Sequence, residues 1–304
     1  MDLRIIGGDE LARLLPMRDA IAALDRAFAA PTALPDRSHL DVGGGDLLVM
    51  PAWSDRTAGV KLVTVAPDNP ERGLPLIHGV YVLFEKPGLK PVALFDAAPL
   101  TALRTAAVSG VATTYLASAA ASRLVLFGAG VQANAHLLAM AAVLPLQSVI
   151  VVSRTPARAE DLVLRARRLG LAARVGEPAD VARADIICTC TTSAEPLFDG
   201  SLVRDGAHVN AVGSYTPAAR ELDDRLITRA NIFVDVETAL QASGDLMMPV
   251  RDGVLEPARV HLLSQAVTGW AGRDSAEEIT LFKSVGAAFE DLAVAEAAAP
   301  HLAG

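Results

Sequence analysis

The stretch from Ser122 to Arg154 constrains this chain more than any other; it reads SRLVLFGAGVQANAHLLAMAAVLPLQSVIVVSR. Leu124 to Phe127 is a short apolar run suited to a buried parallel strand. The turn Gly128-Ala129-Gly130 follows at once, then a helical pattern from Gln132 to Val143 and a β-branched run from Val149 to Val152. Written G-x-G-x-x-A, the turn places Gly128, Gly130 and Ala133 at the small positions, with Val131 and Gln132 at the start of the helix. The first glycine permits a tight turn, and the second lets the backbone approach a pyrophosphate. The small third residue lets helix and strand pack closely, with the helix N-terminus facing the phosphates. Set between strand and helix, this spacing predicts a dinucleotide site.

Which dinucleotide depends on the end of the second strand. NAD enzymes usually place a carboxylate there to accept from the ribose 2′-hydroxyl. Here the residues are Ser153-Arg154-Thr155. A guanidinium fork with two hydroxyls suits a 2′-phosphate, so NADP(H) is favoured over NAD(H); the alternative is that Arg154 is only a solvated strand end.

At 304 residues the chain suggests two domains or one large one. Its net charge of −8 argues against nucleic-acid binding, and the arginines from Arg165 to Arg168 read as a solvated helix face. Met1 to Gly8 is followed by Asp9-Glu10, which does not read as a signal peptide. Ala106 to Ala121 is rich in Ala, Ser and Thr and reads as a packed helix, not a membrane span. The two cysteines, Cys188 and Cys190, lie on one side of an apolar strand, where neither a disulfide nor a metal site is expected. The expected setting is soluble, reducing and cytoplasmic.

In chain order, Leu3 to Ile6 reads as a strand, helices follow from Asp9 and from Pro16 or Met17 to Phe28, and 31–40 reads as a loop carrying Arg37 and His39. From Val42 to Leu94, DLLVMPAW, GVKLVTVAP, GVYVLFE and KPVALFD predict an antiparallel meander, with Gly43-Gly44-Gly45 as a hairpin turn. A helix from Pro99 to about Ala121 leads to the glycine turn. Beyond Arg154, runs at 172–175, 185–190, 208–212 and 232–236 alternate with helices and predict a doubly wound sheet from about 122 to 270. Glu277 to Ala298 reads as one long helix broken by Gly286 and packing back on the first domain. The expected architecture is α/β: a Rossmann-type dinucleotide-binding domain, 122–276, and an α+β substrate and dimerisation domain built from 1–121 and 277–304.

Ligands of such sheets bind at the carboxyl ends of the strands. Thr191-Thr192-Ser193 and Val212-Gly213-Ser214-Tyr215 lie there and could line the nicotinamide ribose, or could be plain surface loops. In the first domain Arg37, Lys61 and Arg104 stand out. Lys61 sits in the apolar strand GVKLVTV, on the face of Val63 and Val65, where a lysine is rare unless paired or functional. Arginine forks such as Arg104 bind carboxylates in two-pronged fashion.

The chain resembles the ornithine cyclodeaminase and μ-crystallin family through DRSHLD (36–41), GVKLVTVAPDNP (59–70), LTALRTAAVSGVAT (100–113), GAGVQA (128–133), HVNAVGSYTPAAREL (208–222) and ITLFKSVG (279–286). The resemblance implies a homodimer joined through the β-rich domain, a bound NAD(H) or NADP(H), and hydride transfer at the α-carbon of a small amino or imino acid. By position it implies that Arg37, Lys61 and Arg104 meet the substrate carboxylate, with Met50 and Tyr215 also in the substrate pocket. It further implies that Thr105 and the Gly128 turn contact the pyrophosphate, and that Lys283, Ser284 and Gly286 lie close to the nicotinamide. Cyclodeaminases of this family carry an aspartate where this chain has Tyr215, and a phenol with a pKa near 10 is a poor proton shuttle. Glu221 or Asp223 could approach instead, although Glu221 reads as the cap of a following helix. The leading reading is therefore an NADPH-dependent reductase of a cyclic imino acid such as Δ1-pyrroline-2-carboxylate. Arg37 and Arg104 would clamp the carboxylate and Lys61 would supply the proton. The alternatives are an ornithine cyclodeaminase with recycled NAD, an alanine-type dehydrogenase and a non-catalytic ligand binder.

Overall fold

The computed structural model describes residues 3–30, 35 and 37–302. The chain opens with β1 (Arg4–Ile6), α1 (Gly8–Leu14) and α2 (Met17–Ala29), then β2 (Ser38–Asp41), β3 (Asp46–Trp53), β4 (Thr57–Val65), β5 (Ile77–Glu85), β6 (Lys90–Asp96) and α3 (Ala97–Leu116). It continues through β7 (Arg123–Phe127), α4 (Val131–Val143), β8 (Ser148–Val152), α5 (Pro156–Arg168), β9 (Ala172–Val175), β10 (Ile186–Thr189), β11 (His208–Ala211), α6 (Asp224–Arg229), β12 (Ala230–Val234), α7 (Ala239–Ala242) and α8 (Gly244–Arg251). It ends with β13 (Val260–Leu262), α9 (Leu263–Val267), β14 (Ile279–Lys283) and α10 (Ala288–Ala298). Two compact units result: 1–104 with 287–304, and 105–286. The divisions fall inside α3 and just after β14, whereas the sequence suggested 121/122 and 276/277.

The first unit is a six-stranded sheet in the order β1-β6-β5-β4-β3-β2. Strands β2 to β6 form the expected antiparallel meander, and β1 adds to β6 in parallel. The glycine triplet does make the β2–β3 hairpin, with Gly43 and Gly44 at φ 77° and 85°, a region that costs glycine little. Ser38–Asp41, expected as loop, pairs as an exposed edge strand. Positions 31–34 of that loop, and Asp36 of the DRSHLD run, lie outside the described residues. One face of β3, β4 and β5 is covered by α10, which also packs on α2, where Phe28 and Phe289 meet edge to face.

The second unit is an eight-stranded, fully parallel sheet in the order β13-β12-β14-β11-β10-β7-β8-β9. Its central strands are continuous buried runs, as parallel strands covered on both faces must be. Here one expectation fails. Residues 277–298 are not one helix: Ile279–Lys283 is β14, inserted between β12 and β11, and only Ala288–Ala298 is helical. ITLFK is a short all-buried run, which periodicity cannot tell from a buried helix turn. Gly286, at φ 81°, lies between the two elements. The arginine at 273 ties this region together, donating to the carbonyls of Leu116 (2.9 Å) and Glu278 and to the hydroxyl of Thr280 (3.2 Å). Among the described residues no helix is long and apolar enough to cross a membrane.

Candidate active site

The ladder of the first unit aligns one row of side chains. Met50 is opposite Lys61, Lys61 opposite Tyr81, and Tyr81 opposite Phe95. Cross-strand partners share a face, and these four are 5%, 3%, 0% and 0% exposed. Arg37 stands one residue beyond the β2–β3 ladder, at the position that continues this row, and is exposed. The register thus brings the expected substrate residues Arg37, Met50 and Lys61 into one line, of which only the last two are buried.

Burying a lysine ammonium is costly unless it is paired, and the partners come from the first turn of α10. Lys61 Nζ lies 2.7 Å from Asp291 Oδ2. The Arg104 guanidinium lies 2.7 Å from Glu290 Oε2 and 3.6 Å from Asp291 Oδ1. All four side chains are at most 9% exposed. Burial pulls the Lys61 ammonium below its ordinary value, the nearby Arg104 adds to that, and Asp291 opposes both. Burial also pushes the Tyr81 phenol well up. Glu290 and Asp291 were missed in the sequence. The available signal was an acidic pair inside the otherwise apolar AAFEDLAVA.

In the second unit the predicted cofactor residues lie at or after the carboxyl ends of β7, β8, β10, β11 and β14, apart from Thr105 on α3. Gly128 leaves β7 at φ 100°, and a side chain there would come within 2.6 Å of the Cys190 carbonyl, so only glycine serves. Gly130 starts α4 without a side-chain cap, and a Cβ on it would meet nothing within 4 Å. The turn before that helix thus leaves room beside its uncapped N-terminus, where a pyrophosphate could approach the first N–H groups. Ala133 is fully buried against the strand, while Val131 is 71% exposed. Gln132 Oε1 is buried without a hydrogen-bond partner among the described residues, leaving an acceptor for a ligand group. At the end of β8, Ser153 is half-buried and Arg154 and Thr155 are exposed. Thr105 is buried on α3, in the same unit.

Two loops follow β10 and β11, and Glu221 clamps them together. One carboxylate oxygen accepts from the Thr191 amide (2.7 Å) and hydroxyl (2.8 Å), the other from the Thr189 hydroxyl (2.7 Å) and the Gly213 amide (2.8 Å). Glu221 is thus no helix cap, as the sequence suggested; Asp223 fills that role for α6 by accepting from the Leu226 amide. A side chain at Gly213 would collide with the Thr191 carbonyl and the Glu221 carboxylate. Beside it, Asp245 accepts from the Glu221 and Leu222 amides and lies 3.0 Å from the fully buried Lys283 ammonium. Burial raises the Glu221 carboxyl, and Lys283 opposes that shift. Asp235 Oδ2 accepts from Ser284 Oγ (2.8 Å) and from the amides of Val285 (2.8 Å) and Gly286 (2.6 Å), fixing the segment after β14. Thr192 is exposed, Ser193 and Val212 are half-buried, and Tyr215 is 47% exposed. Cys188 is buried, its thiol pushed up to about 12, and is no nucleophile.

The glycine cradle, the uncapped α4 and the open space over Gly130 fit a dinucleotide. Arg154 and Thr155 would meet its ribose end, and Thr191, Gly213 and Ser284 would lie toward the other.

Comparison with known proteins agrees. The model of the ornithine cyclodeaminase/mu-crystallin family matches residues 15–300. A Δ1-pyrroline-2-carboxylate reductase from Bacillus cereus is 37% identical over 307 residues, covering 96% of this chain and 94% of the relative. The Δ1-pyrroline-2-carboxylate reductase of Thermococcus litoralis, solved with NADH and L-proline, superposes with a TM-score of 0.91 at 32% identity, over 98% of this chain and 97% of that one. An archaeal alanine dehydrogenase dimer with bound NAD gives a TM-score of 0.92 at 32% identity, over 99% and 96%.

Proposed function

The chain belongs to the ornithine cyclodeaminase/mu-crystallin family and is an oxidoreductase of that family, and from that premise we propose that it reduces the C=N bond of a small cyclic imino acid. Δ1-Pyrroline-2-carboxylate giving proline is the prototype. The observation that carries this reading is the pair of buried cations, Lys61 and Arg104, on one face of the first unit. A guanidinium fork and an ammonium are what an α-carboxylate needs to be held in a fixed orientation. When bound, the reduced nicotinamide supplies a hydride. Lys61, short of water, polarises the carboxylate and imine and holds the proton that the product amine takes up; Arg37, beyond the end of the same row, completes the carboxylate clamp. Positioning of this kind is worth ~7–11 kcal/mol of barrier, so few catalytic groups are required.

Two features favour reduction over cyclodeamination. An exposed phenol, Tyr215, stands where a proton-handling carboxylate is needed, and Glu221, the nearest substitute in sequence, has both oxygens engaged in four hydrogen bonds. We read NADPH as preferred over NADH, a reading supported by Arg154, which is exposed just after β8 where the ribose of a bound dinucleotide would lie. The chain acts as a homodimer through its first unit, a reading supported by the exposed Leu40 and Val42 at the edge strand β2.

Purified protein mixed with NADPH or NADH and Δ1-pyrroline-2-carboxylate tests this. The near-ultraviolet absorbance of the reduced cofactor should fall, faster with NADPH. No fall, with ammonia and proline released from ornithine and NAD, would overturn the reductase reading in favour of cyclodeamination.

A further inference from the structure

Four charges are buried together in the first unit, two positive and two negative, so the cluster is neutral before any substrate arrives. The two carboxylates are not accidental neighbours. Both come from the first turn of α10, and each takes one cation: Glu290 holds Arg104 at 2.7 Å and Asp291 holds Lys61 at 2.7 Å, with Asp291 reaching Arg104 as well at 3.6 Å. Of the other groups around Lys61, Glu290 favours the ammonium more weakly and is engaged by Arg104, and the rest offer no comparable anion. β3 presents the uncharged Met50, and β5 presents Tyr81, whose hydroxyl is fully buried with no hydrogen-bond partner among the described residues. α3 presents Arg104, a like charge. Glu296, on the same helix as Asp291, is paired with Arg56 at 2.8 Å.

We propose that Asp291 is a positioning residue that keeps Lys61 charged and aimed, so that the substrate-facing cation owes its proton to α10 rather than to its own strand. A lysine buried without a counter-charge sheds its proton at neutral pH, as buried lysines in other proteins do. With Asp291 in place, Lys61 meets a substrate carboxylate as an ammonium and has a proton to give. Glu290 does the corresponding work for Arg104, where it fixes orientation alone, because a guanidinium does not deprotonate. This inference rests on the reading that Lys61 meets the substrate carboxylate.

The test exploits the chain's four lysines, Lys61, Lys86, Lys90 and Lys283. With lysine side-chain nitrogens labelled, the full-length protein gives a spectrum in which the resonance lost in Lys61→Met is that of Lys61. In Asp291→Asn we expect the midpoint at which Lys61 loses its proton to drop by at least about one pH unit. The alkaline limb of kcat/KM should move down with it, activity should recover on acidification, and Asp291→Glu should restore the wild-type limb. An unmoved midpoint and limb in Asp291→Asn, where Lys61→Met still abolishes turnover, overturns the inference and leaves the reductase reading standing. Unchanged turnover in Lys61→Met overturns that reading itself. Should Asp291→Asn not fold, Asp291→Glu decides: a limb at the wild-type position with reduced kcat supports the inference, and a limb displaced downward despite the retained charge contradicts it.

Discussion

Gly213 has no room for a side chain, because the Thr191 carbonyl and the Glu221 carboxylate occupy the space a Cβ would take. Gly213→Ala should therefore pull Glu221 off at least one of its four donors. Each lost bond to a buried charged acceptor costs about 1.5–3 kcal/mol. The expected outcome is a thermal midpoint lowered by several degrees and weaker dinucleotide binding in calorimetry, with the buried ion-pair cluster of the first unit untouched. A second residue-scale expectation concerns Arg154. Replacing it by glutamate places a carboxylate where a 2′-phosphate would sit, and this should reverse cofactor preference, raising KM for NADPH at least about tenfold while KM for NADH falls or holds. Equal effects on both cofactors would remove Arg154 from the specificity argument. At this scale the sequence was informative wherever the residue type was odd for its surroundings. Lys61 in an apolar strand and glycines at a strand end announce themselves. Glu221, Asp235, Asp245 and Asp291 do not, because carboxylates are the commonest surface residues and only three-dimensional packing shows that these are buried.

At the scale of elements, β14 decides how the second sheet closes. It is an interior strand between β12 and β11, and positions Lys283 and the Ser284 to Gly286 segment at its carboxyl end. Leu281 on this strand is fully buried. Leu281→Ala should cost about 2–5 kcal/mol in urea unfolding, the range for a buried leucine that leaves a cavity; a loss below about 1 kcal/mol would mean that β14 is not the packed centre of the sheet. The strand was read as helix because five buried residues in a row carry no period, and because the following AAFEDLAVAEAA does read as helix. The antiparallel meander was legible for the opposite reason: its strands are parted by glycine and proline, and its turn residues state their own geometry. The lone cap of α6 by Asp223 was misassigned by two positions, which is the ordinary uncertainty of a helix start.

At the scale of the whole molecule, two buried histidines of the second unit set an acid limit. His136, bonded to Ser109 and to the Gln132 carbonyl, is held down to about 4 by burial. His208, bonded to Thr280 and Asn210, is held down to about 3, chiefly by burial and then by Arg273. Both folded values lie below the unfolded value of 6.5, so their contribution is complete above that pH and is lost as the pH falls through about 4 and then about 3. For His136 the loss is on the order of 3 kcal/mol. We expect a thermal midpoint that is flat above pH 6.5 and declines steadily below it, and a decline that is shallower in His136→Gln. A midpoint that held constant down to pH 4 would show that neither histidine is neutral for the reason given. The division into an antiparallel meander and a parallel sheet with a glycine turn was legible from alternation and spacing, although the parallel pairing of β1 was not. The exact divisions at 104/105 and 286/287 were not, since they fall within a helix and just after a strand, where no composition change marks them.

The most direct measurement follows the transferred hydride itself. Protein supplied with Δ1-pyrroline-2-carboxylate and a nicotinamide cofactor deuterated at the reducing carbon should yield proline carrying one deuterium at its α-carbon. The yield should match the cofactor oxidised, and it should fall at least about a hundredfold in Lys61→Met. Proline formed without deuterium, or cofactor oxidised without proline, would contradict hydride delivery to the imine carbon.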